Sequence, residues 1–184
     1  LSSDGTIVAV GATHNDGNGD YSGHVRVYEY SGDEWGQLGS DIDGEAANDW
    51  SGYSVSLSSD GTIVAIGARY NNGNGYRSGH VRVYEYANGA WTQVGSDIDG
   101  EAAEEYSGNS VSLSSDGTIL AIGAPGNADN GYFSGHVRVY EYSEGDWMQL
   151  GSDIDGEAEY DESGKYVSLS SDGTTVAIGA PGNA

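Results

Sequence analysis

The sequence has no cysteine, two prolines, one methionine and only six lysines and arginines among 184 residues. Without cysteine, it has no disulfide framework, no cysteine-based zinc site and no thiol nucleophile. No apolar run approaches the roughly 20 residues that a membrane-spanning helix needs. Membrane insertion is therefore not expected, and stability must come from a large sheet core or from bound cations.

Basic side chains are scarce and acidic ones abundant. The 29 aspartates and glutamates give a formal net charge of −23, which repels phosphate backbones and anionic lipid surfaces. Nucleic acid and membrane surfaces are thus disfavoured as partners. The acids are spread along the chain instead of forming a tail, which predicts a solvated acidic surface. A surface that binds cations is the alternative.

The chain is built from an internal repeat. The phrase Ser-Gly-His-Val-Arg-Val-Tyr-Glu-Tyr stands unchanged at residues 22–30, 78–86 and 134–142, a step of 56 residues. Leu-Ser-Ser-Asp-Gly-Thr keeps the same step from Leu1 onward. A period of this length indicates supersecondary units that cannot bury their apolar faces alone and must stack.

Each repeat predicts four short antiparallel strands. Period-two alternation, an Asp-Gly turn at Asp60 and a β-branched apolar run define the first two strands, and no segment has helical periodicity. In the middle copy the strands are predicted at residues 53–57, 62–68, 79–86 and 91–98. Four such strands per repeat are typical of a β-propeller blade, whose two faces pack on neighbouring blades.

The blade boundaries follow from the period. They are a partial first blade at 1–52 with strands two to four, complete blades at 53–108 and 109–164, and the first two strands of a fourth at 165–184. Propellers have about 4 to 8 blades, so this is an incomplete ring. We expect either further blades in a longer propeller or blade-to-blade assembly of copies.

Three separated elements resemble the FG-GAP repeat family of integrin-type propeller blades. They are residues 107–111, 122–125 and 135–140, in the family's order and spacing. The resemblance implies an extracellular or cell-surface propeller used in adhesion or ligand recognition. The similar variant lacks the calcium hairpin, since the single Asp60 of the Asp-Gly turn cannot supply the six to eight oxygens that calcium takes.

Histidine and arginine recur in step with the repeat. Because identical residues in every copy indicate either a scaffold or a multivalent site, we interpret them as scaffold, with each arginine pairing with carboxylates of a neighbouring blade. The six residues are His24, His80, His136, Arg26, Arg82 and Arg138.

The recurring Asp-Ile-Asp-Gly-Glu motif is the best metal candidate. Its alternating oxygens resemble the front half of a calcium loop, but the glycine comes too early for an EF-hand. Calcium is the one cofactor considered, and an exposed acidic loop facing the recurring arginine is the alternative. The candidate ligands are Asp41, Asp43, Glu45, Asp97, Asp99, Glu101, Asp153, Asp155 and Glu157.

The copies differ mainly in two loops, between strands two and three and between one blade and the next. Strand order puts both loops at one end of the blade, opposite the Asp-Gly turn. Aromatic rings on a rigid scaffold suit recognition of a glycan or a protein. The candidate ligand-binding residues are Tyr21, Trp50, Tyr70, Tyr76, Arg77, Tyr106, Tyr132, Phe133 and Tyr160.

No catalytic constellation can be singled out. Residues unique to one copy, such as His14, Arg69 and Lys165, form no recognisable Ser-His-Asp arrangement, and no pair of acids stands out for glycoside hydrolysis. We therefore predict a non-catalytic adhesion or recognition propeller. A self-assembling structural repeat of a filament or coat, and a propeller glycoside hydrolase or lyase, are the alternatives.

Overall fold

A computed structural model describes residues 1–183, and they form an all-β structure. None of these residues lies in a helix that could cross a membrane. The first sheet contains β1 (Ile7–Ala12), β2 (His24–Ser31), β3 (Glu34–Gln37) and β4 (Ile42–Asp43). The second contains β5 (Ser54–Leu57), β6 (Ile63–Ala68), β7 (His80–Ala87), β8 (Ala90–Gln93) and β9 (Ile98–Asp99). The third contains β10 (Ser110–Leu113), β11 (Ile119–Ala124), β12 (His136–Ser143), β13 (Asp146–Gln149) and β14 (Ile154–Asp155), and the fourth β15 (Tyr166–Leu169) and β16 (Val176–Gly179).

The sheets are antiparallel meanders of the same design. The second sheet has the order β5-β6-β7-β8, with β9 also paired to β7, and the third repeats this order. The first sheet begins at the equivalent of β6, and the fourth consists of the equivalents of β5 and β6. The predicted fold class, a tandem array of antiparallel propeller blades, is confirmed.

The predicted fourth strand, residues 91–98, is wrong as a single strand. It is divided into β8 and β9, which pair with opposite ends of β7, because the segment between them holds two more residues than the stretch of β7 that it faces. Gly95 lies in this segment with φ +75, and Val94 still donates its N–H to the Val83 carbonyl over 2.8 Å. The division is a bulge that positive φ at glycine allows.

The Asp-Gly turns lie at the end of the blades where strands one and two meet. In the second blade Gly61 takes φ +74, while Asp60 Oδ1 accepts hydrogen bonds from the Thr62 N–H, the Thr62 hydroxyl and the Ser58 hydroxyl. The carboxylate is thus committed to the turn. Successive turns join in a row, because Ser59 N–H donates to the Ser115 carbonyl over 2.8 Å and the same bond links each described neighbour.

The hydrophobic core lies between the sheets. One cluster joins Val25 and Val27 of the first sheet to Val64 and Ile66 of the second. A second cluster joins the second sheet to the third in the same way. β6 and β11 are buried from their second residue onward, as expected for a strand covered on both faces. Stability therefore resides mainly in the contacts between blades.

A tryptophan connects each blade to the one before it. Trp147 on β13 donates its indole N–H to the Val94 carbonyl over 3.0 Å, and Trp91 on β8 donates to the Leu38 carbonyl over 2.8 Å. A Cβ placed on Gly95 would lie 2.7 Å from Cδ1 of Trp147. The bulge in one blade therefore has a glycine where the indole of the next blade packs.

Candidate functional site

The two variable loops of each blade lie side by side. Trp50 N–H donates to the Tyr21 carbonyl over 3.1 Å, and Tyr106 N–H donates to the Arg77 carbonyl over 3.2 Å. The same bond recurs in the third blade between Glu162 and Phe133. Since an antiparallel meander places these loops at one end and the Asp-Gly turns at the other, the variable residues share one face of the array.

Aromatic rings form an unbroken series of contacts across this face, which we call the aromatic track. Neighbouring ring centroids lie 4.6 to 6.0 Å apart, the range of favourable aromatic pairs. In order, the rings are Tyr21, His14, Trp50, Tyr70, Tyr106, Phe133, Tyr132 and Tyr160. The structure thus brings together seven of the nine predicted ligand-binding residues in one continuous surface.

The other two predicted residues join the aromatic track through a cation. The Arg77 guanidinium lies 4.6 Å from the ring centre of Tyr70 and 5.0 Å from that of Tyr76. Such stacking fixes the guanidinium plane. All nine predicted residues therefore lie in or beside the track.

A groove opens where the loops of the first two blades meet. It has a volume of about 430 Å³, within the range of small-ligand sites. Its walls combine four aromatic rings, two carboxamides, one guanidinium and one methyl group. The lining residues are Tyr21, Ala47, Asn48, Trp50, Tyr70, Asn72, Tyr76 and Arg77.

The loop backbone holds several large side chains in the left-handed region. Trp50 has φ +58, and its counterpart Tyr106 has the same value. Arg77 has φ +54 and its counterpart Phe133 has φ +58. Positive φ is rare for bulky residues and costs about 1–3 kcal/mol. The same positions carry it in each blade, so the fold itself sets the direction in which these side chains leave the backbone.

Three members of this surface were not among the predicted ligand-binding residues. His14 bridges Tyr21 and Trp50, while Arg69 stacks on three tyrosines and donates to the Tyr53 hydroxyl over 2.8 Å. His14 and Arg69 are each unique to one copy, and Tyr53 has Asn109 and Lys165 as counterparts. The differences between the copies could have singled out these three residues. Their stacking contacts could not be inferred from those differences.

The structure places the predicted metal ligands around the recurring histidines. Three groups of potential ligand atoms each lie within 4.8 Å of one another. They are His24 with Asp41 and Asp43, His80 with Glu45 and Asp97, and His136 with Asp129, Asp153 and Asp155. Asp99 Oδ1 lies 3.9 Å from His80 Nδ1. Calcium binding by the predicted acids stays a prediction.

Two of the predicted ligands, Glu45 and Glu101, form ion pairs with arginines. Glu101 pairs with Arg138 of the next blade over 3.1 Å, and Glu45 pairs with Arg82 of the next blade in the same way. Glu157 lies outside the three groups. Arg82 and Arg138 thus contact carboxylates of the preceding blade, as expected for a scaffold role, whereas Arg26 pairs with Asp41 of its own blade over 2.8 Å.

The pKa values of two carboxylates, Asp41 and Glu105, are shifted from their usual range. Hydrogen bonds from Arg26 and then Gln37 lower the pKa of Asp41 to about 2. Glu105 is buried between two blades, and this burial opposes its ionisation. Contacts with His136 and with the Ala102 N–H outweigh the burial, so the pKa of Glu105 is lowered. Glu105 therefore stays anionic inside the protein.

The fold and the loop-borne site define a class of protein, the β-propeller blade array. Among solved structures, a candidate 6-phosphogluconolactonase from Bacteroides uniformis is similar, with a TM-score of 0.61 and 12% identity over 97% of this chain and 45% of that one. Hydrazine synthase from Kuenenia stuttgartiensis has a TM-score of 0.57 and 14% identity over 97% of this chain and 56% of that one. At such identities the likeness concerns the fold alone, and the chain spans about half the length of these structures.

Within this class, one part of the chain matches a known repeat family. A family profile described as FG-GAP repeat matches residues 41–84, from the acidic motif of the first blade to β7. The match confirms the resemblance inferred from the sequence. No curated protein sequence is significantly similar to the chain.

Proposed function

We propose that the chain is a non-catalytic recognition module, extracellular or at the cell surface, that binds a glycan chain along the aromatic track. The observation that carries this proposal is the continuity of the track across three blades. Sugar rings stack on aromatic faces, and planar polar groups orient their hydroxyls. Around the groove, Asn48, Asn72 and Arg77 supply such groups next to Trp50 and Tyr76.

An elongated ligand fits the geometry better than a compact one. The rings form a line instead of enclosing a cavity, and the groove occupies only the part of that line between blades one and two. A protein loop is the alternative ligand, because aromatic and amide side chains also serve protein interfaces.

The test compares two variants in the groove with one outside it. Tyr76→Ala and Arg77→Gln are expected to weaken capture on a glycan array at least tenfold, whereas Trp35→Ala, an exposed aromatic on β3, is expected to leave it unchanged. Binding only to a protein array would favour the alternative ligand. Unchanged glycan binding in both groove variants would refute the role of the track, and turnover of a bound glycan would refute the non-catalytic assignment.

A separate observation supports a blade contact on the third sheet. Ile154 is 40% exposed, whereas its counterparts Ile42 and Ile98 are covered by the following blade and are 5% and 6% exposed. We propose that another FG-GAP blade covers Ile154, either later in the same polypeptide or in a second copy. The intact mass of the native polypeptide and light scattering separate these two arrangements. A monodisperse protein of 19.1 kDa would refute both.

A further inference from the structure

The third blade contains a buried histidine without an aligned hydrogen bond. His136 begins β12 and is 0% exposed, and neither ring nitrogen has an aligned partner within the described residues. Its Nε2 lies 2.8 Å from Glu105 Oε1, whose side chain is equally buried. Its Nδ1 faces the opposite way and lies 3.5 Å from Asp153 Oδ2.

Three carboxylates lie close to this ring, and Asp153 is on its Nδ1 side. Asp153 and Asp155 come from the acidic motif, with Asp155 directly across the sheet from His136. Asp129 comes from the loop between β11 and β12. The ligand atoms of all four residues lie within 4.8 Å of one another. Arg138, the nearest recurring cation, contacts Glu101 and Glu105 instead. The three carboxylates thus gather beside the imidazole with no cation among them in the described residues.

This arrangement matches the surroundings of a metal-binding histidine. Such histidines commonly direct the second ring nitrogen to a carboxylate, which fixes the tautomer and leaves a lone pair for the metal. Glu105 is placed to do this at Nε2, so the Nδ1 lone pair would face Asp153. A lone pair directed at a carboxylate is unfavourable unless a cation lies between them.

We propose that His136 Nδ1, Asp129, Asp153 and Asp155 bind a divalent transition-metal ion of the Zn²⁺ type. One imidazole nitrogen and three carboxylate oxygens form a four-ligand set that zinc accepts. Calcium and magnesium prefer oxygen ligands alone, so the histidine shifts the selectivity away from the calcium predicted for the acidic motif. The inference does not depend on glycan binding.

The other two blades provide internal comparisons. Asp129 has Gly17 and Gly73 as counterparts, so each of these blades lacks one carboxylate at this position. The group around His80 gains Glu45 from the preceding blade, but Glu45 also pairs with Arg82. The third blade therefore offers the most complete set of ligands, and we expect it to bind the metal most tightly.

The experiment titrates the chelator-treated protein with Zn²⁺, and separately with Ca²⁺, by calorimetry at about 0.15 M salt, where diffuse surface attraction is screened. Zn²⁺ is expected to bind at least tenfold more tightly than Ca²⁺. Asp129→Gly introduces the residue that two other blades already have, so the fold is retained, and it is expected to weaken Zn²⁺ binding at least tenfold. Glu144→Gln removes one carboxylate from an exposed hairpin of the same blade and is expected to change nothing.

A second readout identifies the ligand atom. In two-bond proton–nitrogen spectra, Zn²⁺ is expected to shift the Nδ1 resonance of His136 and to leave it unshifted in Asp129→Gly at the same metal concentration. Equal Zn²⁺ affinity in Asp129→Gly and Glu144→Gln would mean attraction to a diffuse acidic surface and would overturn the proposal. Absence of Zn²⁺ binding would also overturn it.

Discussion

Trp147 and Trp35 occupy the same position in two blades, but only Trp147 packs on a neighbouring blade. Trp147 is 8% exposed and donates to the Val94 carbonyl, whereas Trp35 is 49% exposed. A fully covered tryptophan buries about 200 Å², worth about 5 kcal/mol at roughly 25 cal/mol per Å². Trp147→Ala is thus expected to cost about 4–5 kcal/mol, in line with measured losses of large core residues, and Trp35→Ala about half as much.

Urea unfolding followed by circular dichroism measures both free energies, and a third variant separates packing from hydrogen bonding. Trp147→Phe keeps most of the ring contact but leaves the Val94 carbonyl without its donor, so we expect a smaller loss of about 1–3 kcal/mol. Equal destabilisation by Trp147→Ala and Trp35→Ala would show that the blade interface does not carry the stability assigned to it.

Three further predictions concern the same interfaces. Arg138→Met removes a cationic partner of the buried Glu105 and is expected to cost about 3–5 kcal/mol in urea unfolding, clearly more than the more exposed Arg26→Met; similar losses would contradict the interblade role. Gly95→Ala and Gly151→Ala both place alanine at φ near +75, but only the first meets an indole, so it is expected to cost about 1–3 kcal/mol more by the same assay. Burial raises the pKa of Tyr140 to about 12. The protonated ring therefore stabilises the fold fully below pH 10, and this contribution is lost as the pH rises towards 12; Tyr140→Phe should flatten that part of the stability curve, and an unchanged slope would contradict it.

Much of the architecture follows from local signals in the sequence. The period of 56 residues, the β-branched run at residues 63–66 and the Asp-Gly turn predict where the strands lie, because strand formation and turn geometry depend on neighbouring residues. Strand order then places the variable loops together. The aromatic residues of the candidate site could therefore be assigned to one face without coordinates.

The remaining features depend on contacts between distant parts of the chain. The bulge at Gly95 exists where Trp147, 52 residues later, packs, and no pattern near Gly95 indicates it. Asp129 joins His136 only because a loop returns over the start of β12. The burial of Glu105 likewise depends on the next blade. Sequence patterns carry information about residues that are close along the chain. Contacts between residues that are distant in sequence could therefore not be predicted from them.

The row of hydrogen bonds between the Asp-Gly turns has a consequence for how such a protein changes in length. Each turn donates one N–H to the following blade, as Ser59 does to Ser115, and accepts one from the preceding blade, as the Ser59 carbonyl does from Ser3. An added or deleted unit of one period would restore the same donor and acceptor on both sides. Duplication and internal deletion by whole blades are therefore structurally neutral at this edge, while the opposite edge gains or loses a segment of the aromatic track.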